Sequence, residues 1–222
     1  MARLRLGVLI SGRGSNLQSL IEAAAAPAYP AEIALVISNE PGAKGLERAA
    51  AAGLAQRTID HRDFDSRPAF ESALTAALTE AEVGLVCLAG FMRLLTDRFV
   101  AHWDRRLVNI HPSLLPAFKG IHVHERVLAA GVRFSGCTVH YVVPEMDSGP
   151  IIVQAAVPVA GADDADSLAA RVLKAEHRIY PLAVRWIAEG RVRIEGERVA
   201  VDGIAAPRSG LMNPSDDGRL VL

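Results

Sequence analysis

The strongest constraint on how this chain can fold is an alternation over its first 90 residues, where short apolar runs trade places with stretches of helical spacing. The run at 4–10, LRLGVLI, ends abruptly at Ser-Gly-Arg-Gly. A strand with apolar residues on both sides is buried on both faces. Helical spacing follows at 16–26 and stops before Pro27. The pattern then repeats as a strand at 33–38, a helix at 45–52 closed by Gly53, and a short strand at 55–59. An amphipathic helix at 66–79 comes next, with Ser66 as N-cap and Pro68 in its first turn, and then the wholly apolar strand 83–89. Parallel strands need a crossover over the sheet face, so this alternation predicts an α/β fold: a Rossmann-like, doubly wound, mostly parallel sheet with helices on both faces. Sheets of this kind bind ligands at the carboxyl ends of their strands. The turns at 11–16, 38–45 and 89–95 therefore share one candidate binding edge.

The second half changes character. A short strand at 107–110 leads into HPSLLP, and a helix is expected at 122–130. Strands at 137–143 and 151–157 flank the turn PEMDSGP. A long helix at 167–189 contains Pro181, which removes one helical hydrogen bond and predicts a kink. A hairpin at 191–194 and 198–201 turns at EGE, so antiparallel additions are expected near the C-terminus. One domain over 1–202 accounts for these elements. Residues 203–222, rich in Gly, Pro, Ser and Asp, are expected to form a poorly ordered tail.

Composition narrows the function classes. With 24 basic and 25 acidic residues, net charge -1, the chain lacks the basic excess of a general nucleic-acid or membrane-surface binder. Cys87 and Cys137 are its only cysteines, too few for a disulfide framework or a Cys-rich zinc site. Cys87, inside VGLVCLAG, reads as a buried core thiol. The basic residues before LGVLI are followed by glycines without a small-residue cleavage pattern, so that segment reads as a strand and not as a signal peptide. No apolar run reaches membrane-spanning length, and a cytoplasmic location is expected.

Two segments carry chemistry. Ser11-Gly12-Arg13-Gly14-Ser15-Asn16 joins a buried strand to a helix. Backbone N–H groups at a helix start, approached closely across glycines, favour a phosphate, and Ser15 and Asn16 offer side-chain donors. The segment is neither a P-loop nor the dinucleotide fingerprint, since Leu17 stands where a third glycine would fall. It also fits a plain tight turn capped by Ser15 or Asn16. At the end of the 107–110 strand, alternation places Asn109 and His111 on one face with Ile110 toward the core. An amide and an imidazole together suit a carbonyl substrate, each donating to an oxyanion as it develops. They also fit an Asn109 that satisfies a turn carbonyl and a His111 packed under the Pro-rich loop. Asp147, before Ser-Gly-Pro, is by pattern a turn residue. His140, next to Tyr141 on a strand, can face the same cleft. His122 and His124 have strand-type metal spacing but no companion ligands, and no metal site is expected.

SGRGSN at 11–16, AGFMRLL at 89–95, NIHPSLLPAFKG at 109–120 and MDSGP at 146–150, in that order, closely resemble the phosphoribosylglycinamide formyltransferases, folate-dependent enzymes of purine synthesis. The likeness runs from about residue 5 to about residue 190. NIHPSLLP with a later D-x-G-P marks the folate formyltransferases generally, and SGxGSN narrows the match. The resemblance implies an acceptor-binding half at about 1–100 and a folate and catalytic half at about 101–190. It implies that Gly14, Ser15 and Asn16 hold the acceptor's 5′-phosphate and that Glu176 meets its sugar. Arg67, Met92, Arg93, Leu94, Leu95, Asn109 and His140 would line the folate site. Asn109 would bind the formyl oxygen, His111 would donate a proton, and Asp147 would orient His111 and favour its imidazolium form. The cosubstrate implied is 10-formyltetrahydrofolate, with no tightly bound cofactor and no metal. The partners implied are small molecules, with no nucleic acid and no membrane, in a monomer or homodimer. Arg13 and Ser148 depart from the commoner small polar residue and glycine, and the orientation of Lys119 is left open. A formyltetrahydrofolate deformylase, a methionyl-tRNA formyltransferase and an inactive folate- or nucleotide-binding module share parts of the pattern. The first is expected to carry an added N-terminal domain, the second a C-terminal RNA-binding domain and a different first turn.

Overall fold

The computed structural model describes residues 2–204 and 211–213. In chain order the elements are β1 (Leu4–Ile10), α1 (Ser15–Ala24), β2 (Ala31–Ser38), α2 (Lys44–Ala51), β3 (Gln56–Thr58), a 3-10 turn at His61–Asp63, α3 (Arg67–Glu80) and β4 (Leu85–Leu88). They continue as α4 (Asp97–His102), β5 (Leu107–His111), α5 (Val123–Ala129), β6 (Phe134–Tyr141), β7 (Ile151–Pro158), α6 (Ala165–Ala188), β8 (Val192–Glu195) and β9 (Arg198–Val201).

Seven strands form one sheet in the order β3-β2-β1-β4-β5-β6-β7, and β8 and β9 pair separately as an antiparallel hairpin. The pairs β1–β2, β1–β4, β2–β3 and β4–β5 are parallel, whereas β5–β6 and β6–β7 are antiparallel. The expected class is therefore the observed one, and the direction of winding reverses between β1 and β4. The carboxyl ends of these two strands open the crevice where such sheets hold ligands.

Alternation along the central strands feeds two cores. Leu6, Val8 and Ile10 of β1 join Leu17, Leu20, Val172, Tyr180 and Val184 from α1 and α6 on one face. Leu9 of β1 and Val86 and Leu88 of β4 join Phe70, Leu74, Leu78 and Phe99 from α3 and α4 on the other. Cys87 and Cys137 are buried in the first core, and burial pushes both thiols up to about 12.

Two local expectations are revised. α4 has no counterpart among the expected helices: it is only six residues long, and its one sequence signal is Thr96, whose hydroxyl accepts from Phe99 N. β6 begins at Phe134, three residues before the expected start. Gly136 conceals that start. A Cβ there would lie 2.0 Å from the Ala155 carbonyl oxygen, so the close pairing with β7 requires the glycine that breaks the apolar pattern. The long helix expected to contain Pro181 is α6, and the Pro181 carbonyl accepts from Tyr29 Oη at 2.8 Å. The tail at 203–222 lies largely outside the described residues. Within it, Asn213 donates through Nδ2 to the Arg133 and Val159 carbonyls. Among the described residues, no helix is long and apolar enough to cross a membrane.

Candidate active site

The turn after β1 is built on contact with α2. Gly14 is the N-cap of α1 with φ 68, and a Cβ on it would come within 2.6 Å of Gly45 Cα. Only glycine allows both the left-handed conformation and this approach. Gly45 N donates to Gly12 O at 3.0 Å, and Arg48 Nε donates to Arg13 O at 3.0 Å, so the turn is fixed from behind. The first bond inside α1 is Gln18 N to Gly14 O, at 3.0 Å. The N–H groups that precede it are the free donors of a helix start.

One of the two amide hydrogens of Asn16 is committed inside the chain. The residue is buried, and its Nδ2 donates to Glu176 Oε2 on α6 at 2.7 Å. Its Oδ1 is buried with no partner among the described residues. The structure thus brings Asn16 and Glu176 together as one polar pair inside the first core. Burial raises the Glu176 carboxyl above its ordinary value, and the bond from Asn16 opposes that rise. A raised carboxyl pKa stabilises the fold below the unfolded-state value, and that stabilisation is lost as pH rises through the folded-state value. Glu176→Gln is neutral throughout and keeps an oxygen for Asn16. Its Tm should match the parent near pH 4 and exceed it progressively toward pH 8. Calorimetry across that range checks this, and a constant gap would contradict it.

Ser11 ties this turn to its neighbours. Its Oγ donates to Asn39 Oδ1 at 2.5 Å and accepts from Met92 N at 2.7 Å, while its N donates to Gly90 O at 3.1 Å. All three turns of the expected binding edge therefore meet at one residue. Met92 and Leu94 are exposed beside it, and Arg93 and Leu95 are partly buried. Arg67 begins α3 and is exposed. The α3 carboxylate of Glu71, itself buried, accepts from Thr96 N at 2.7 Å and from the Thr96 hydroxyl, which anchors the far end of the 89–95 loop.

The strand-end pair is met by the distant aspartate. Asn109 pairs with His140 across β5 and β6, and His111 pairs with Thr138. Asp147 follows in the turn before β7 at φ 50, a conformation Asp tolerates better than most residues. Its Oδ2 lies 3.5 Å from His111 Nδ1, and its Oδ1 lies 3.8 Å from His140 Nε2. The side chains of His111, His140 and Asp147 are only 6%, 2% and 11% exposed, so their interaction is weakly screened. These distances exceed those of tight charged hydrogen bonds, so the carboxylate faces both rings without a short bond to either.

His140 Nδ1 lies 2.9 Å from Tyr141 O. A carbonyl only accepts, so Nδ1 carries the proton. Burial lowers the His140 pKa, against the effects of Tyr141 O and Asp147, and keeps the ring neutral. Its Nε2 lone pair then accepts from Asn109 Nδ2 at 3.4 Å, which leaves the second amide hydrogen of Asn109 free.

Backbone groups complete the cluster. Phe118 O lies 3.0 Å from His111 Nε2, and Gly120 N donates to Asp147 Oδ2 at 2.8 Å. Main-chain groups leave no side-chain signal in a sequence; Gly120, at φ 82, is the nearest to one. The loop is pinned to the sheet through Thr138 and Gln154. Thr138 Oγ1 donates to Ser113 O and accepts from Leu115 N, and Gln154 Nε2 donates to Leu115 O and to Thr138 Oγ1. Lys119 turns to Ser148 and Glu145, at 2.5 and 3.6 Å, so one departure from the family pattern has a partner inside the chain. His122 is the N-cap of α5, and among the described residues no group of three or more His, Cys, Asp or Glu could hold a metal ion.

The polar groups of the site gather at the carboxyl edge of a Rossmann-like sheet. The formyl transferase family model matches residues 4–184. The chain is 44% identical over 207 residues to phosphoribosylglycinamide formyltransferase of Escherichia coli (strain K12), covering 93% of this chain and 98% of that one. It is 50% identical over 192 residues to the trifunctional purine biosynthetic protein adenosine-3 of Gallus gallus, covering 86% of this chain but only 19% of that relative. The solved structure of glycinamide ribonucleotide transformylase 1 from Symbiobacterium toebii superposes with a TM-score of 0.88 at 48% identity, covering 90% of this chain and 94% of that one. The chain belongs to the formyl transferase family.

Proposed function

We propose that this protein transfers the formyl group of 10-formyltetrahydrofolate to the amine of 5-phosphoribosylglycinamide, giving formylglycinamide ribonucleotide and tetrahydrofolate in de novo purine biosynthesis. The observation that carries the reading is one partly buried carboxylate, Asp147, facing both His111 and His140 while Asn109 stands beside them. A cytoplasmic location goes with it.

The amine nitrogen attacks the formyl carbon, and the carbonyl electrons move onto the oxygen. That oxyanion accepts from the free amide hydrogen of Asn109 and from protonated His111. Two placed donors in a buried site make the tetrahedral intermediate accessible without a covalent enzyme adduct, each worth roughly 3 kcal/mol. As the intermediate collapses, the bond from carbon to the folate nitrogen breaks. The proton lost by the attacking amine reaches that nitrogen, relayed by water beside Asp147. The first-turn N–H groups of α1 and the Ser15 hydroxyl hold the acceptor's phosphate. The Asn16–Glu176 pair meets its sugar, since Oδ1 of Asn16 and the Glu176 carboxylate are acceptors for hydroxyl groups. Arg67, Met92, Arg93, Leu94 and Leu95 line the folate side.

The test is a spectrophotometric assay of tetrahydrofolate product formation. Release is expected with glycinamide ribonucleotide present and not with water as the sole acceptor. Equal release in both would point to deformylation, and folate binding without release to an inactive module.

A further inference from the structure

We infer that Nδ1 is the His111 nitrogen that serves the substrate, and that Arg126, outside the catalytic cluster, positions the ring by fixing the loop that aims the Phe118 carbonyl at Nε2. The role of the proton rests on the formyl-transfer reading; the placement of the ring does not.

A carbonyl cannot donate, so the 3.0 Å contact between His111 Nε2 and Phe118 O requires the proton on Nε2. In the neutral ring the lone pair is then on Nδ1, 3.5 Å from Asp147 Oδ2. A lone pair opposite a carboxylate is repelled; a second proton on Nδ1 turns that contact into an attraction. In the imidazolium, Nε2–H is therefore committed to Phe118 O, and Nδ1–H is shared between Asp147 and the incoming oxyanion. The reverse arrangement, with Nε2 toward the substrate, would require the Phe118 carbonyl to leave.

That carbonyl needs support. Phe118 has φ 55, in the left-handed region that bulky side chains rarely adopt. Ser113 Oγ holds the preceding Ala117 O at 2.6 Å. Arg126 holds the following side: its Nη1 donates to Lys119 O at 2.5 Å, and its guanidinium carbon lies 5.8 Å from the centroid of the Phe118 ring. One exposed α5 side chain thus grips both the aromatic ring at 118 and the next carbonyl. A shift of this loop turns the Phe118 carbonyl away from Nε2 and releases the ring.

The test reads the His111 ring by 15N NMR in the parent, Arg126→Ala and Arg126→Lys, alongside steady-state kinetics. The neutral parent ring should be the Nε2–H tautomer. Arg126→Ala should show a mixture with Nδ1–H, and kcat should fall roughly tenfold with both KM values within about twofold. Arg126→Lys keeps a donor for Lys119 O and should recover part of both. An Nδ1–H tautomer in the parent, or an unmixed Nε2–H ring in Arg126→Ala at any kcat, overturns the inference. The spectrum needs no turnover, so a failed formyl-transfer assay leaves this result standing, and a wrong tautomer leaves that assay untouched.

Discussion

His111→Ala should lower kcat by about 10³ while KM for either substrate changes little, because a positioned proton donor contributes typically 10²–10⁴-fold to the chemical step. The His111 ring is held by Asp147 on one nitrogen and Phe118 O on the other, so on the proposed mechanism its removal would delete an interaction made with the transition state and not one made in substrate binding. Single-turnover kinetics would separate this loss from a change in product release. A kcat within tenfold of the parent would sink the proposed role.

Asp147→Asn should have the second-largest effect, about 10²–10³ in kcat. The substitution is informative because it can keep every hydrogen bond. An amide oxygen in the place of Oδ2 still accepts from Gly120 N and faces His111 Nδ1. The amide nitrogen in the place of Oδ1 lies 3.8 Å from His140 Nε2, beyond hydrogen-bond reach, so the bond from Asn109 to that lone pair is kept. Only the negative charge is lost, so the drop in kcat measures what that charge contributes to the His111 imidazolium. Asp147→Ala would confound this measurement, because it also strips Gly120 N of its acceptor and opens the loop. A Tm close to the parent's with near-parental kcat would show that the charge is not used.

The parts of this protein legible in its sequence are those set by local periodicity. β1, β4 and their crossover helices announce themselves because strands buried on both faces must be apolar and helices must show one apolar stripe. Asn109 and His111 stood out because two polar side chains on one face at the end of such a strand contradict its pattern. Asp147 did not, since an aspartate before Ser-Gly-Pro has an ordinary use in a turn; only the family resemblance pointed to it. The Phe118 carbonyl and the Gly120 amide were invisible, because every residue carries those groups and only the fold aims them. Asn16 offers two amide hydrogens; Glu176 takes one of them, and nothing local to residue 16 could reveal a partner on the C-terminal helix.

That pairing has a bearing on how the molecule comes into being. Asn16 and Glu176 are 160 residues apart in the chain. Contacts between distant residues are entropically expensive to close and tend to form late. During synthesis the turn after β1 can take shape while α6 is still to come, yet Asn16 then lacks its partner. On the proposed function, a partly made chain would hold the turn for the phosphate without the carboxylate for the sugar. Competence to recognise the complete nucleotide would then arrive only with the docking of the last long helix.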